Sequence, residues 1–426
     1  IRNYLAANAI GITRDEVFAS QLINLIFCKI YDERFTKPDD TVKFRAGVNE
    51  SEEDIYNRIL TLFDRVKHQY NDVIEVSDSI LLDSRSVKYI VGELQLYSLK
   101  DSSRDAVGDA FEIFIGPSLK GAQGQFFTPR NVVNMVIRMI DPGIDERILD
   151  PACGSGGFLV ESLRYVWNKL EEKAADLGWP ESEIEAEKQR IAIKNLRGID
   201  KDSFLSKVAK AYLAILGDGR GGIHCENSLE SFRNWSAKTF EDIQPESFDV
   251  IVTNPPFGKK LSIDSTEILE LYDLGHRWNS VPGGVFEKGA LADKQPPQLL
   301  FIERCFQMLR PGGRMGIVLL ESIFGMPKYQ YVVNYIRLQA KINAIVTLPE
   351  DLFQPHTHAK CCVLICQKYK KNESYSSCDN YDIFMSDVKW CGHDSRGNIT
   401  YSYTSTGEKV VLDEIPLVAD RYLEMR

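Results

Sequence analysis

The sequence predicts an α/β protein in which a doubly wound sheet follows an N-terminal helical domain. Three observations carry the prediction. Up to about residue 120 apolar residues recur at three- and four-residue steps; beyond it, short strand-like apolar runs alternate with helical stretches; and several of those runs end in turns rich in glycine or proline. Such alternation marks a sheet wrapped by helices. Sheets of this kind hold ligands at the carboxyl ends of their strands.

Val17, Leu22, Ile23, Ile26, Phe27 and Ile30 form one apolar helical stripe. Ile55, Ile59, Leu62, Phe63 and Val66 form a second, and the polar stretch 36–51 separates the two. Val87, Ile90, Val91 and Leu94 continue the pattern, followed by Val107, Phe111 and Phe114. The glycine-marked segment 116–124 then sets a boundary near Gly121, so residues 1–120 are read as the helical domain. In the second domain, 121–371, strands are expected at 147–149, 196–199, 248–253, 314–320 and 342–348, with helices at 132–140, 158–170, 204–216 and 299–309. After Lys371 the chain turns polar, and 372–426 is expected as a small C-terminal appendage.

At 426 residues, with 44% hydrophobic and 26% charged residues, the chain is an ordinary globular protein, neither disordered nor a coiled-coil rod. No apolar run approaches the length of a membrane span, so no membrane partner is expected. Nine scattered cysteines without a C-x-x-C pair, and no signal-like apolar segment near Ile1, point to a reducing cytoplasm. Because the first residue is Ile1 rather than methionine, natural ends beyond the termini are expected. The net charge of -10 means that any basic face for nucleic acid must be local. A chain of this charge acting on DNA would borrow affinity and sequence reading from a partner.

Asp150-Pro151-Ala152-Cys153-Gly154-Ser155-Gly156-Gly157-Phe158 follows an expected strand and opens an expected helix. Its glycines let backbone pass close to a ligand. A dinucleotide fingerprint fails here, because Gly154 and Gly156 fit but the third glycine position is Leu159. A carboxylate ahead of the glycines is awkward beside a pyrophosphate and suits a ligand carrying positive charge. Asp200, at the end of the next expected strand, can accept from both hydroxyls of a ribose. The plain alternatives are an unliganded tight turn for the glycines and a cap or solvated side chain for Asp200.

The strongest single feature is the apolar strand 248–253 running into Asn254-Pro255-Pro256-Phe257. Two prolines remove backbone donors, fix the chain and leave carbonyl acceptors. The Asn254 side-chain oxygen and the Pro255 carbonyl are then suited to accept both hydrogens of an amine. Phe257 offers a flat apolar face for a base. A simple turn with a core aromatic is the competing reading.

With these residues in view, the chain resembles the N6-adenine DNA methyltransferases, most closely the modification subunits of type I restriction-modification systems. Residues 150–158 resemble the family's cofactor loop, 254–257 its catalytic motif, and Gly124-Gln125-Phe126-Phe127-Thr128-Pro129 the cofactor-binding segment that precedes the sheet. The resemblance implies a Rossmann-like methyltransferase sheet and S-adenosylmethionine as cofactor. It also implies that the methyl group goes to an adenine flipped out of DNA. The residues it assigns to the cofactor are Gln125, Phe127, Thr128, Asp150, Ala152, Gly154, Ser155, Gly156, Asp200, Asn227, Ser228, Leu229 and Asn254; Asn254, Pro255, Pro256 and Phe257 are assigned to catalysis. Thr128 is expected to cap a helix with Pro129 in its first turn, leaving backbone donors aimed at the methionyl carboxylate. Asn227 departs from the pattern, since many relatives carry an aspartate there; its oxygen can accept the same bond from the cofactor's adenine amine. Further matches lie at Leu309-Arg310-Pro311-Gly312-Gly313-Arg314, Leu348-Pro349-Glu350-Asp351-Leu352-Phe353 and Gly392-His393-Asp394. With little chain after the core, the resemblance places sequence reading in a separate specificity subunit, and a restriction subunit is a further expected partner.

Other features compete for attention. His356, His358, Cys361, Cys362 and Cys366 match no standard zinc spacing, and 361–366 reads better as a buried strand in which cysteine is a small hydrophobe. Cys153 lacks a neighbouring base in sequence and is read as packing. The insertion 259–298, with Lys259, Lys260, His276, Arg277 and Trp278, is read as a mobile loop meeting DNA or as a solvated loop. Methylation of a protein glutamine or of RNA, and an inactive scaffold of the same fold, remain alternative functions.

Overall fold

The computed structural model describes residues 4, 15–37, 39–99, 128–216, 219–257, 261–282, 285–354, 357–375, 381–404 and 406–426. The chain forms two compact units, 1–121 with 207–221 and 122–206 with 222–426. In the first unit the stripes become α1 (Asp15–Phe35), α2 (Glu52–Gln69) and α3 (Ser84–Leu94). Ser51 caps α2 by accepting from the Asp54 N–H, and Asp83 caps α3 by accepting from Ser86. Ile55, Ile59, Leu62, Phe63 and Val66 are all buried, as their spacing predicts. The pattern at Val107, Phe111 and Phe114, the boundary at Gly121 and the site candidates Gln125 and Phe127 lie outside the described residues.

The longer helices of the second unit are α4 (Arg130–Ile140), α5 (Gly157–Leu177), α6 (Glu181–Asn195), α7 (Ser203–Leu216, which continues into the first unit), α8 (Ala237–Asp242), α9 (Pro297–Met308), α10 (Gln330–Gln339) and α11 (Ile415–Glu424). Its strands are β1 (Ile148–Asp150), β2 (Leu196–Asp200), β3 (Ile223–Cys225), β4 (Phe248–Thr253), β5 (His276–Val281), β6 (Val285–Leu291), β7 (Leu309–Leu320), β8 (Ala340–Thr347), β9 (Cys361–Lys368), β10 (Phe384–Asp387), β11 (Tyr401–Tyr403) and β12 (Lys409–Val411). Eight of them make one sheet in the order β10-β8-β9-β7-β4-β1-β2-β3. Only β9 runs against its neighbours. The central strands are near-continuous apolar runs because helices cover both faces. Leu149, Phe248, Ile251, Leu309 and Met315 lie in the main core with Leu299, Ile302 and Phe306 of α9.

From β1 the chain builds outward through β2 to β3, then returns to place β4 on the other side of β1. The order therefore reverses between β1 and β4. Ile148 stands beside Val250 and Leu149 beside Ile251, so the turns that follow these two strands open side by side. Two sequence expectations change. Residues 372–426 are more than an appendage: β10 extends the main sheet beside β8, while α11 packs on α4, with Arg138 paired to Asp420. The insertion 259–298 is an ordered β5–β6 hairpin in its described part, where alternation was too weak to register as strands.

Candidate active site

The carboxyl ends of β4, β1, β2 and β3 carry Thr253, Asp150, Asp200 and Cys225 in adjacent rows. After β1, Gly154 and Gly156 take φ values of +52° and +90°, a region that a side chain disfavours. A Cβ at Gly154 would meet nothing within 4 Å, so the loop borders open space. Gly198 does the opposite: a Cβ there would lie 2.7 Å from Ile223 Cδ1 and Leu159 Cδ1, which lets α5 press against β2 and β3.

Asp150 is 1% exposed, and one of its oxygens accepts from the Ala152 N–H at 3.0 Å. Burial, with Asp200 nearby, pushes its carboxyl up to about 7 against that hydrogen bond. Asp200 ties two loops together by accepting from Gly154 N and Asp202 N, both at 2.9 Å, and burial raises its carboxyl as well. Two acidic groups thus stand at a glycine-lined edge with no basic side chain bonded to either among the described residues. Cys153 is buried with its thiol pushed up by burial, consistent with packing.

The turn after β3 closes on itself: Asn227 Oδ1 accepts from Leu229 N at 3.1 Å while its Nδ2 donates to Glu230 Oε1. Ser228 is buried and donates to the Pro151 carbonyl at 2.5 Å, linking this turn to the glycine loop. Leu229 is buried with Leu269, Tyr272, Leu300 and Phe301, and Ala152 packs against the same group.

Sequence reasoning missed what holds this turn. Arg304, on α9, is 1% exposed; its Nη2 donates to the Glu230 carbonyl at 2.7 Å and its Nε to the Tyr272 hydroxyl, which donates to the Leu229 carbonyl at 2.8 Å. The guanidinium lies 4.3 Å from the Phe232 ring centroid, and burial lowers its basicity. Glu303 beside it accepts from Asp273 N and Leu274 N. The available signal was a Glu-Arg pair set inside the apolar run 299–306.

After β4, Asn254 is partly exposed and Pro255 buried. Asn254 Nδ2 donates to the Thr128 hydroxyl at 2.9 Å. This changes the reading of Thr128: Pro129 occupies the cap position of α4 with no side-chain cap bond, and Thr128 instead reaches across to the Asn-Pro-Pro turn. The Val132 N–H at the start of α4 is taken by Asn131 Oδ1. Phe257 is 3% exposed and meets Phe353 edge to face at 5.7 Å, joining two sequence motifs that lie far apart.

Trp278 donates its indole N–H to the Asp273 carbonyl and stacks on Tyr331. Arg277 pairs with Asp293, and Lys288 with Asp273. The described part of the insertion therefore spends these groups internally. Cys361, Cys362 and Cys366 line the buried β9, as read from sequence, and burial pushes the Cys361 thiol up to about 12. Among the described residues no cluster of His, Cys, Asp or Glu could hold a metal ion, and no helix is long and apolar enough to cross a membrane.

The N-6 DNA methylase family model matches residues 102–398, well over half of the chain. The chain belongs to the N-6 DNA methylase family. It is 24% identical over 352 residues to the type I restriction enzyme EcoEI methylase subunit of Escherichia coli, covering 77% of this chain and 63% of that protein. It is 27% identical over 363 residues to the MjaVII methylase subunit of Methanocaldococcus jannaschii, covering 83% and 56%. The chain thus spans 56–63% of the length of these two relatives. Among solved structures it shares its fold with the type I restriction-modification methyltransferase subunit of Streptococcus thermophilus, at a TM-score of 0.56 and 18% identity, covering 88% of this chain and 71% of that one. A family of methylases on an α/β sheet is the fold that the sequence predicts.

Proposed function

We propose that this chain transfers the methyl group of S-adenosylmethionine to the exocyclic N6 amine of an adenine flipped out of DNA. It would act as the modification subunit of a type I-like assembly, with a separate specificity subunit and a restriction subunit as partners. One observation carries the reading: the Asn254-Pro255 turn and the glycine loop open side by side where the strand order reverses between β1 and β4. The similarity to type I methylase subunits supports the assembly, and the net charge of -10 supports a partner that supplies DNA affinity.

The residues at this edge fit the cofactor. Gly154, held at positive φ, borders open space, and a buried carboxyl at Asp150 gains most by becoming an anion beside a cationic ligand. Asp200 keeps lone pairs for ribose hydroxyls after its two backbone bonds, and Asn227 Oδ1 keeps one for an adenine amine. In this reading Ala152, Ser155, Ser228 and Leu229 complete the cofactor's surroundings. The cofactor supplies an electrophilic methyl carried on a sulfonium.

The chain's own residues supply position. An exocyclic amine on adenine is a poor nucleophile because its lone pair is delocalised into the ring. Acceptance of both its hydrogens, by Asn254 Oδ1 and the Pro255 carbonyl, favours a tetrahedral nitrogen with a localised lone pair. The proton leaves after charge has developed, so no strong base is needed, and orientation with electrostatics carries the acceleration. Stacking on Phe257 offsets part of the flipping cost, roughly a few kcal/mol. Since Phe257 is 3% exposed, a base stacks there only if its surroundings open.

The test is Asn254→Ala in the complex with its specificity partner. Expected is near-normal cofactor binding with methylation abolished. Methyl transfer from labelled cofactor to protein or RNA, with none to DNA, would overturn the substrate.

A further inference from the structure

An asparagine amide has two ends of nearly equal shape and opposite chemistry, an acceptor oxygen and a donor nitrogen. Its terminal torsion is broad and roughly two-fold, so sterics alone do not choose between them. The proposed reaction works with only one choice. With the oxygen toward the target amine, Asn254 accepts a hydrogen; turned over, it sets donor against donor. Pro255 and Pro256 stiffen the backbone but leave the side-chain torsion free.

One contact in the structure holds this side chain in place. Asn254 Nδ2 donates to Thr128 Oγ1 at 2.9 Å, from a residue 126 positions earlier in the chain. Thr128 is itself held, because it leads into α4 through Pro129, and α4 buries Val132, Val133, Met135, Val136, Ile137, Met139 and Ile140. Val136 and Ile140 sit on β7 at a glycine: a Cβ on Gly316 would lie 2.6 Å from Val136 Cγ1 and 3.1 Å from Ile140 Cγ1. Asn131 adds a second anchor through Asp413 Oδ2 at 2.9 Å. Thr128 is therefore a fixed post, and its branched side chain has few rotamers.

We propose that Thr128 is a positioning residue that holds the Asn254 side chain in the one rotamer used in the reaction, through the contact between Nδ2 and its hydroxyl. This rests on the methyltransferase reading above and departs from the cofactor-binding role that the resemblance implies for Thr128. A valine at 128 keeps the shape and removes the acceptor. A serine keeps the acceptor.

The experiment uses the subunit co-purified with its specificity partner, unmodified genomic DNA and S-adenosylmethionine. Thermal melting, the cofactor dissociation constant by calorimetry and the single-turnover rate at saturating cofactor are measured for wild type, Thr128→Val and Thr128→Ser. Thr128→Val is expected to melt normally and bind cofactor within about threefold of wild type, and to transfer methyl on the order of tenfold more slowly, the worth of one hydrogen bond. Thr128→Ser is expected to recover most of the rate. An unchanged rate in Thr128→Val at saturating cofactor overturns the proposal. So does a loss that is confined to cofactor affinity, which would make Thr128 a cofactor contact. So does an equal rate loss in Thr128→Ser with an equal drop in melting temperature, which would make it a packing residue. A wild-type complex that methylates no DNA adenine sinks the methyltransferase reading instead, and is a different result.

Discussion

Replacing Asp150 by asparagine should stabilise the empty protein and weaken its cofactor binding, with opposite pH dependences. The carboxyl is 1% exposed and its pKa rises from a usual 3.8 to about 7, first because of burial and then because of Asp200. A folded-state pKa above the unfolded value means that the folded protein holds the extra proton between these limits. The stability from this group is full below about pH 4, falls as pH rises toward 7, and is lost above it. A shift of about three units is on the order of 4 kcal/mol at pH 8. Asparagine can still accept from Ala152 N and carries no charge to desolvate, so Asp150→Asn should recover much of that figure. Melting followed from pH 5 to 8 checks this: the variant's advantage should grow with pH and level off above about 7. Cofactor binding runs the other way. A cation beside Asp150 favours its anion, so wild-type affinity should be flat above pH 8 and fall about tenfold per unit below 7. Titration of S-adenosylmethionine across that range should show the slope in wild type and lose it, with lower affinity throughout, in Asp150→Asn. A slope that persists in the variant, or a melting advantage independent of pH, would refute the reasoning.

Asp200→Ala should weaken cofactor binding with the fold retained; because Asp200 also holds Gly154 N and Asp202 N, amide exchange in the glycine loop should speed up too. Tyr272→Phe removes the hydroxyl between Arg304 and the Leu229 carbonyl, and should cost about 1–3 kcal/mol in denaturant unfolding, since it leaves buried polar groups with fewer partners. Gly198→Ala forces a methyl against Ile223 and Leu159 and should destabilise by about 1–3 kcal/mol; a neutral result would mean that α5 can slide on the sheet.

The alternation of strands with helices, the β4 strand at 248–253 and the burial of 361–366 could be read from sequence because each rests on local periodicity and apolar content, which neighbouring residues record directly. The glycine loop and the Asn-Pro-Pro turn could be read for a related reason: their chemistry is dense within a few positions. The β5–β6 hairpin was hidden by its exposed, charged strands, which lack clean alternation. The short β10 gains strand geometry only from pairing with β8.

What the sequence by itself determined is therefore the kind of sheet and the two motifs at its strand ends. Tertiary structure alone decided which groups answer them across the fold. Thr128 meets Asn254 over 126 residues, Phe257 meets Phe353, and Arg304 reaches the turn after β3. A hydrogen bond or ring contact between distant residues leaves no periodic trace in either segment, and exists only once strand order has brought them together.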